Sequence, residues 1–154
     1  MQIESTMIEA HIYREIEGNI EFLLLKRSEK EIFPNLWQMV SGSIEKGEKA
    51  FETALREIKE ETGIIPEKLW VLPNINSFYS PNADKIIFLP VFLSKAKSDS
   101  QVIISDEHTE YGWYVPERAR ELLSWPGQKK SIDIILNFLT NDETFLGLSE
   151  INIR

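Results

Sequence analysis

The sequence predicts an α/β fold, a mixed β-sheet sandwiched between helices (α/β/α). Three observations carry that expectation. Strand-like apolar patterns are interrupted by a segment with helical spacing, and a further helical pattern lies near the end of the chain. Strands and helices do not alternate strictly, which argues against an all-parallel doubly wound sheet. At 154 residues, 42% hydrophobic and 27% charged, the chain fits one compact domain, 1–154, with a real core.

The elements follow in order. Ile8 to Ile16 and Ile20 to Lys26 read as two strands, and Glu17-Gly18-Asn19 between them supplies hairpin turn residues. Polar Ser28 to Asn35, closing on a proline and an asparagine, reads as a loop, and Trp37 to Ile44 as a short strand. From Glu48 to Thr62 the period changes: Phe51, Ala54, Leu55 and Ile58 fall at helical spacing and form the expected buried stripe. Gly47 precedes this helix, and Gly63 suits a left-handed C-terminal cap. Leu69 to Tyr79 and Lys85 to Leu93 read as strands turning at Ser80-Pro81-Asn82, with Tyr111 to Val115 a further short one. Pro116 suits the first position of a helix ending near Ser124, and Gln128 to Leu139 has an amphipathic helical pattern. The tail from Asn141 to Arg154 fits either an extra strand or a loose end.

Composition narrows the function. A formal net charge of −8 disfavours general binding of nucleic-acid polymers. It leaves room for a small phosphorylated substrate, because carboxylates accept phosphates that arrive with divalent cations. No apolar run reaches the roughly 18–20 residues that cross a bilayer, so no membrane partner is expected. The start, Met1-Gln2-Ile3-Glu4, does not read as a signal peptide, and with no cysteine there is no disulfide framework, which suits the cytoplasm.

The acidic residues are not spread evenly. On a helix, Glu57, Glu60 and Glu61 are related by i, i+3 and i+4, so their side chains share one face beside the apolar stripe. Such an arrangement is locally unfavourable. Glu57 and Glu61 repel by a few tenths of a kcal/mol, and carboxylates in the last turn oppose the helix dipole by roughly 0.3–1 kcal/mol. Arg56, four residues before Glu60, offsets part of that. For a lone Glu-Glu pair a solvated acidic face is the ordinary explanation. Here the pair comes with glycines, an arginine and a distant glutamate at fixed spacing.

Gly42, Glu48, Arg56, Glu57, Ile58, Glu60, Glu61, Gly63 and Ile64 fill every defined position of the Nudix box, and the chain resembles the Nudix hydrolase superfamily. Chance matching of its seven fixed identities, each at roughly 5–9% usage, is below about 10⁻⁷ per starting position. The resemblance implies the Nudix fold and hydrolysis of a diphosphate linkage with Mg²⁺, or Mn²⁺ in its place, as cofactor. It implies that Glu57, Glu60, Glu61 and the carbonyl of Ser41 bind metal, and that Glu48 and Arg56 pair to brace the loop that holds Gly42. Mg²⁺ prefers such hard oxygen ligands and shares its sphere with water and substrate phosphates. A base must take the proton of the attacking water, and Glu61 and Glu107 are both candidates, with Glu57 beside them in the catalytic set.

Within the superfamily, Trp37-Gln38-Met39-Val40-Ser41-Gly42-Ser43-Ile44-Glu45 is similar to the dihydroneopterin triphosphate and dATP pyrophosphohydrolases. That branch implies a phosphate-contacting role for Arg27 and an additional catalytic or metal-binding role for Glu107, next to His108. The ordinary readings are an exposed strand-end arginine and a loop carboxylate. Met7-Ile8-Glu9-Ala10-His11-Ile12-Tyr13 departs from the branch, lacking its basic residues. Trp37, Trp113 and Trp125 are expected to pack in the interior, with stacking on a substrate ring as the alternative, for Trp37 above all. Lys129 and Lys130 read as solvated.

The expected reaction is cleavage of a nucleoside or pterin triphosphate to a monophosphate and pyrophosphate. The alternatives are hydrolysis of ADP-ribose or a dinucleoside polyphosphate, and a non-catalytic nucleotide-sensing domain. The resemblance also implies a homodimer as one form of assembly, which no sequence feature requires.

Overall fold

The computed structural model describes residues 1–154. Nine strands and four helices follow one another as β1 (Gln2–Glu4), β2 (Met7–Ile16), β3 (Asn19–Arg27), β4 (Trp37–Gln38), β5 (Val40–Ser43), α1 (Ala50–Thr62), β6 (Lys68–Ser80), β7 (Lys85–Lys95), β8 (His108–Tyr114), α2 (Pro116–Leu122), α3 (Pro126–Asn141), α4 (Glu143–Ser149) and β9 (Glu150–Ile151). All strands join one mixed sheet. Its central path runs β4-β3-β2-β7-β6-β9, with β1 on β7, β5 on β2 and β8 on β3. β2 and β3 are antiparallel, whereas β2 and β7 are parallel.

The β2–β3 hairpin turns at Glu17 and Gly18, with φ of 51° and 80°. Two successive positive φ values match the twist of the flanking strands. The two strands pair only from Tyr13 to Ile16 and from Asn19 to Phe22. Beyond that they part, β5 pairing with the first half of β2 and β4 with the end of β3. The segment expected as one strand from Trp37 to Ile44 therefore divides at Met39, because its backbone changes partner there.

Alternation along β2 sorts the core into two layers. Ile8, Ala10 and Ile12 join Ala54 and Ile58 of α1 on one face. Tyr13 joins Ala119 of α2, Ile132 and Ile135 of α3, and Leu146 of α4 on the other. Helices thus cover both faces, as expected of an α/β/α sandwich. Glu9 and His11 share the parity of Tyr13 and are buried toward the α3 side.

Several boundaries differ from expectation. α1 starts at Ala50, not Glu48, because the Glu48 side chain turns back to serve the preceding loop and Glu52 takes the Lys49 N–H at 2.8 Å. In the stripe, Ala54 and Ile58 are fully buried while Phe51 and Leu55 are half-buried at its margin. β8 begins at His108, α3 begins at Pro126, and the tail folds as α4 followed by β9 on β6. No helix is long and apolar enough to cross a membrane.

Candidate active site

The site is built where β5 meets the C-terminal half of α1. Gly42 faces that helix so closely that a β-carbon there would overlap the Glu57 carboxyl. Glycine is required here for want of space, since φ at Gly42 is not positive. Ser41 is likewise absent from the positive-φ residues, so its side chain imposes no strain. α1 ends on Gly63 at φ 73°, whose N–H donates to Lys59 at 2.8 Å.

Arg56 organises the acidic residues. Its Nε and Nη2 donate to the two oxygens of Glu48 at 2.7 and 3.0 Å, a bidentate pair, and Nη2 also reaches the Ser43 carbonyl at 3.0 Å. Glu48 further accepts from Thr53 Oγ1 at 2.6 Å and from the Glu45 N–H at 3.1 Å. The Arg56 and Thr53 hydrogen bonds hold the Glu48 carboxyl down at about 2. The expected brace between loop and helix is present in the geometry. Arg56 Nη1 also holds Glu57 at 2.8 Å and Glu60 at 3.2 Å.

The three box carboxylates sit in different surroundings. Glu60 is exposed, Glu57 is partly buried, and Glu61 is 3% exposed. Burial pushes the Glu61 carboxyl up to about 9, reinforced by the charges of Glu57 and Glu107 and opposed by a Ser41 backbone hydrogen bond and by Arg27. Burial also raises Glu57. The charge of Glu107, on an exposed turn, thus acts on both Glu57 and Glu61. With Glu57 and Glu60 drawn onto Arg56, no three acidic or histidine side chains close into a chelating cluster. The donor set nevertheless fits a hard divalent cation: Glu61 Oε2 is buried without any hydrogen-bond partner, amid other carboxylates.

Arg27 is held over the loop, its Nε donating to the Ile32 carbonyl at 2.6 Å and Nη1 to Gln38 at 3.2 Å, with Glu31 3.6 Å away. Gln38 in turn contacts His108 Nε2 at 3.0 Å. Burial and the Arg27 charge lower His108 to about 4, so this chain of side chains is neutral beyond Arg27. Trp37 packs edge-on against Tyr114 with ring centroids 5.5 Å apart, and Trp113 lies under Arg14. Trp125 departs from the interior packing expected of it. It is 48% exposed at the start of α3, edge-on to the exposed Phe33 at 5.4 Å.

The sequence assigned no role to Gln38, which links Arg27 to His108, or to Glu9, which is buried on the α3 side of the sheet. Glu9 is buried although it lies in a strand where alternation would place a carboxylate toward solvent. Its signal was the acid and histidine alternating with Ile8, Ala10 and Ile12.

Comparison with known proteins agrees with the geometry. The sequence model of the NUDIX domain matches residues 10–135. A Caenorhabditis elegans protein named bis(5'-nucleosyl)-tetraphosphatase (asymmetrical) is 32% identical over 116 residues, covering 74% of this chain and 81% of the relative. The solved binary complex of C. elegans Ap4A hydrolase superposes with a TM-score of 0.75 at 27% identity, covering 88% of this chain and 98% of that one. The E. coli dihydroneopterin triphosphate pyrophosphohydrolase superposes with a TM-score of 0.69 at 26% identity, covering 82% of this chain and 91% of that one.

Proposed function

The chain belongs to the NUDIX family, a pyrophosphohydrolase family that generally uses divalent metal ions, and from that premise we propose that it cleaves a nucleoside or pterin triphosphate into a monophosphate and pyrophosphate. The observation that carries the reading is the buried, unpartnered Glu61 Oε2, set among Glu57, Glu107 and the Ser41 backbone. A cluster of carboxylates with a spare buried oxygen is an electrostatic cost unless a cation joins it.

Glu57, Glu60, Glu61 and the Ser41 carbonyl would hold Mg²⁺, with Mn²⁺ as a substitute. When bound, the ion neutralises phosphate charge and lowers the pKa of water. Arg56 and Glu48 keep the β5 loop fixed against α1, so the carboxylates need little reorganisation. Arg27, held by Gln38, presents a guanidinium toward the phosphates. Glu61 or Glu107 takes the proton of the attacking water as its oxygen bonds to phosphorus and the P–O bond to pyrophosphate breaks.

A second reading, asymmetric cleavage of a dinucleoside tetraphosphate, is supported by the names of the C. elegans relative and of the superposed complex. The test is product analysis after incubation with Mg²⁺ and a panel of nucleoside triphosphates, dihydroneopterin triphosphate, ADP-ribose and diadenosine tetraphosphate. The proposal requires pyrophosphate plus a monophosphate from a triphosphate, lost in Glu60→Gln. Preferential cleavage of diadenosine tetraphosphate would establish the second reading. Metal binding with no cleavage of any compound would reject both.

A further inference from the structure

The chain enters β8 through Glu107 and pairs with β3 out of register. Lys26 faces Glu110, but the next residue, Arg27, faces His108, so Thr109 has no partner of its own. An extra residue of this kind bends the strand and re-aims the side chain beside it. In an unbroken strand His108 would share the face of Glu110, whose carboxylate pairs with Lys26 at 3.0 Å. Instead it turns to Gln38, with 3.0 Å between the two Nε2 atoms, and is 4% exposed. Beside it the Ser28 N–H donates to the Glu107 carbonyl at 2.9 Å. One joint therefore fixes the end of β3 against the segment that carries Glu107.

Arg27 sets the direction of each hydrogen bond that follows. A guanidinium only donates, so the Gln38 oxygen must face Arg27 Nη1, at 3.2 Å. The Gln38 amide nitrogen then donates to His108 Nε2, which must be the ring nitrogen without a proton. Turned over, the amide would set donor against donor at Arg27. With no acceptor at position 108, its nitrogen would be left buried without a partner, and the amide would keep one anchor of two. Arg27 commits Nε to the Ile32 carbonyl and one Nη1 hydrogen to Gln38, which leaves donors for an anion. Its charge acts on the Glu61 carboxyl, so the guanidinium lies beside the candidate metal-binding groups.

We propose that His108, acting through the Gln38 amide, is a positioning residue that aims the Arg27 guanidinium at the phosphates of the substrate. The proposal rests on the triphosphate reading above, in which Arg27 meets those phosphates. His108 itself touches no substrate atom. A guanidinium held in one plane meets a phosphate with less loss of freedom than one that swings. The effect therefore falls on binding, and on KM more than on kcat.

The test is a double-mutant cycle between positions 108 and 27, read as kcat and KM for the best cleaved triphosphate and as the calorimetric Kd for inorganic tripolyphosphate with Mg²⁺. His108→Leu should raise KM and Kd by about 5- to 10-fold, the effect of one hydrogen bond, with kcat within about two-fold. His108→Gln, whose amide oxygen reaches the place of Nε2, should recover most of that loss. In an Arg27→Ala background neither substitution should change KM or Kd further, because the effect runs through the guanidinium. If melting curves show that His108→Leu does not fold, Gln38→Met takes its place in the cycle, keeping the volume while removing the amide. An equal loss with and without Arg27 would overturn the proposal and make His108 a packing residue of β8. No loss in His108→Leu, or tripolyphosphate binding that Arg27→Ala leaves unchanged, would overturn it too. Should no compound be cleaved, the hydrolase reading falls, and the cycle on tripolyphosphate binding still decides this proposal.

Discussion

At the scale of single residues, the site depends on one missing side chain and on several carboxylates in unequal surroundings. Gly42 leaves the space that the Glu57 carboxyl fills, so Gly42→Ala must displace either β5 or Glu57. Such overpacking costs about 1–3 kcal/mol where nothing can move. Glu57 lies at the end of a flexible side chain and gives way first. The expected outcome is a small shift in melting temperature with a loss of turnover on the order of 100-fold, the usual effect of a misplaced catalytic group. Unchanged turnover would remove Glu57 from the catalytic set. Glu61→Gln and Glu107→Gln separate the two candidate bases. The residue that takes the proton should lose about 10²–10⁴-fold in kcat, and the pH–rate profile of that variant should lose its acidic limb. The other variant should keep that limb, shifted or unshifted.

At the scale of elements, the Glu48–Arg56 pair is what makes loop and helix one unit. Arg56→Lys keeps the charge but removes the bidentate geometry, and a single ammonium cannot serve Glu48, Ser43 and Glu57 together. Turnover should fall by at least about 10-fold, measured against a melting temperature that changes little. α1 was legible in the sequence because its apolar spacing, its capping glycine and its charge pattern all agree. The hairpin β2–β3 was legible because Gly18 marks its turn. The division of Trp37 to Ile44 was not, since the change of partner from β3 to β2 is a property of the diverging sheet rather than of local pattern. The tail is not legible as a helix because Glu143 to Ser149 is too short for a clear period; it is held by Leu146 in the core and by β9 on β6. Of the site, the box residues were fully readable. The links from Arg27 through Gln38 to His108, and from Asn76 to Glu9, join residues far apart in sequence, and no spacing rule announces them.

At the scale of the whole molecule, two helical layers pressed on one sheet leave polar groups of β2 inside, and this makes stability depend on pH. His11 is 1% exposed on the α3 side, its Nε2 meets no partner, and burial alone lowers it to about 4 from an ordinary 6.5. In the unfolded chain His11 takes up a proton as the pH falls through 6.5, whereas in the folded protein it stays neutral until about 4. Between those values the unfolded state binds more protons, so stability rises with pH across that window. It is complete above about 6.5, is lost progressively toward 4, and does not change further below that through this group. The full span corresponds to about 3 kcal/mol at one pKa-unit equivalent of 1.36 kcal/mol. Glu48, held at about 2, acts in a lower window, its contribution being lost only below the ordinary carboxylate range. His108, also lowered to about 4, adds a like slope in this window, and Glu61, raised to about 9, opposes both above about 4.5. His11's share is therefore read as the difference between wild type and His11→Leu in the urea midpoint at a series of pH values. In His11→Leu, which fills similar space without a titrating ring, the midpoint should lose less on going from pH 6.5 to 4 than in the wild type, His108 keeping its own share, while the loss at lower pH remains. A slope unchanged by the substitution would mean that the acid sensitivity in this window arises elsewhere, and that the α3 side of the sheet admits solvent to His11.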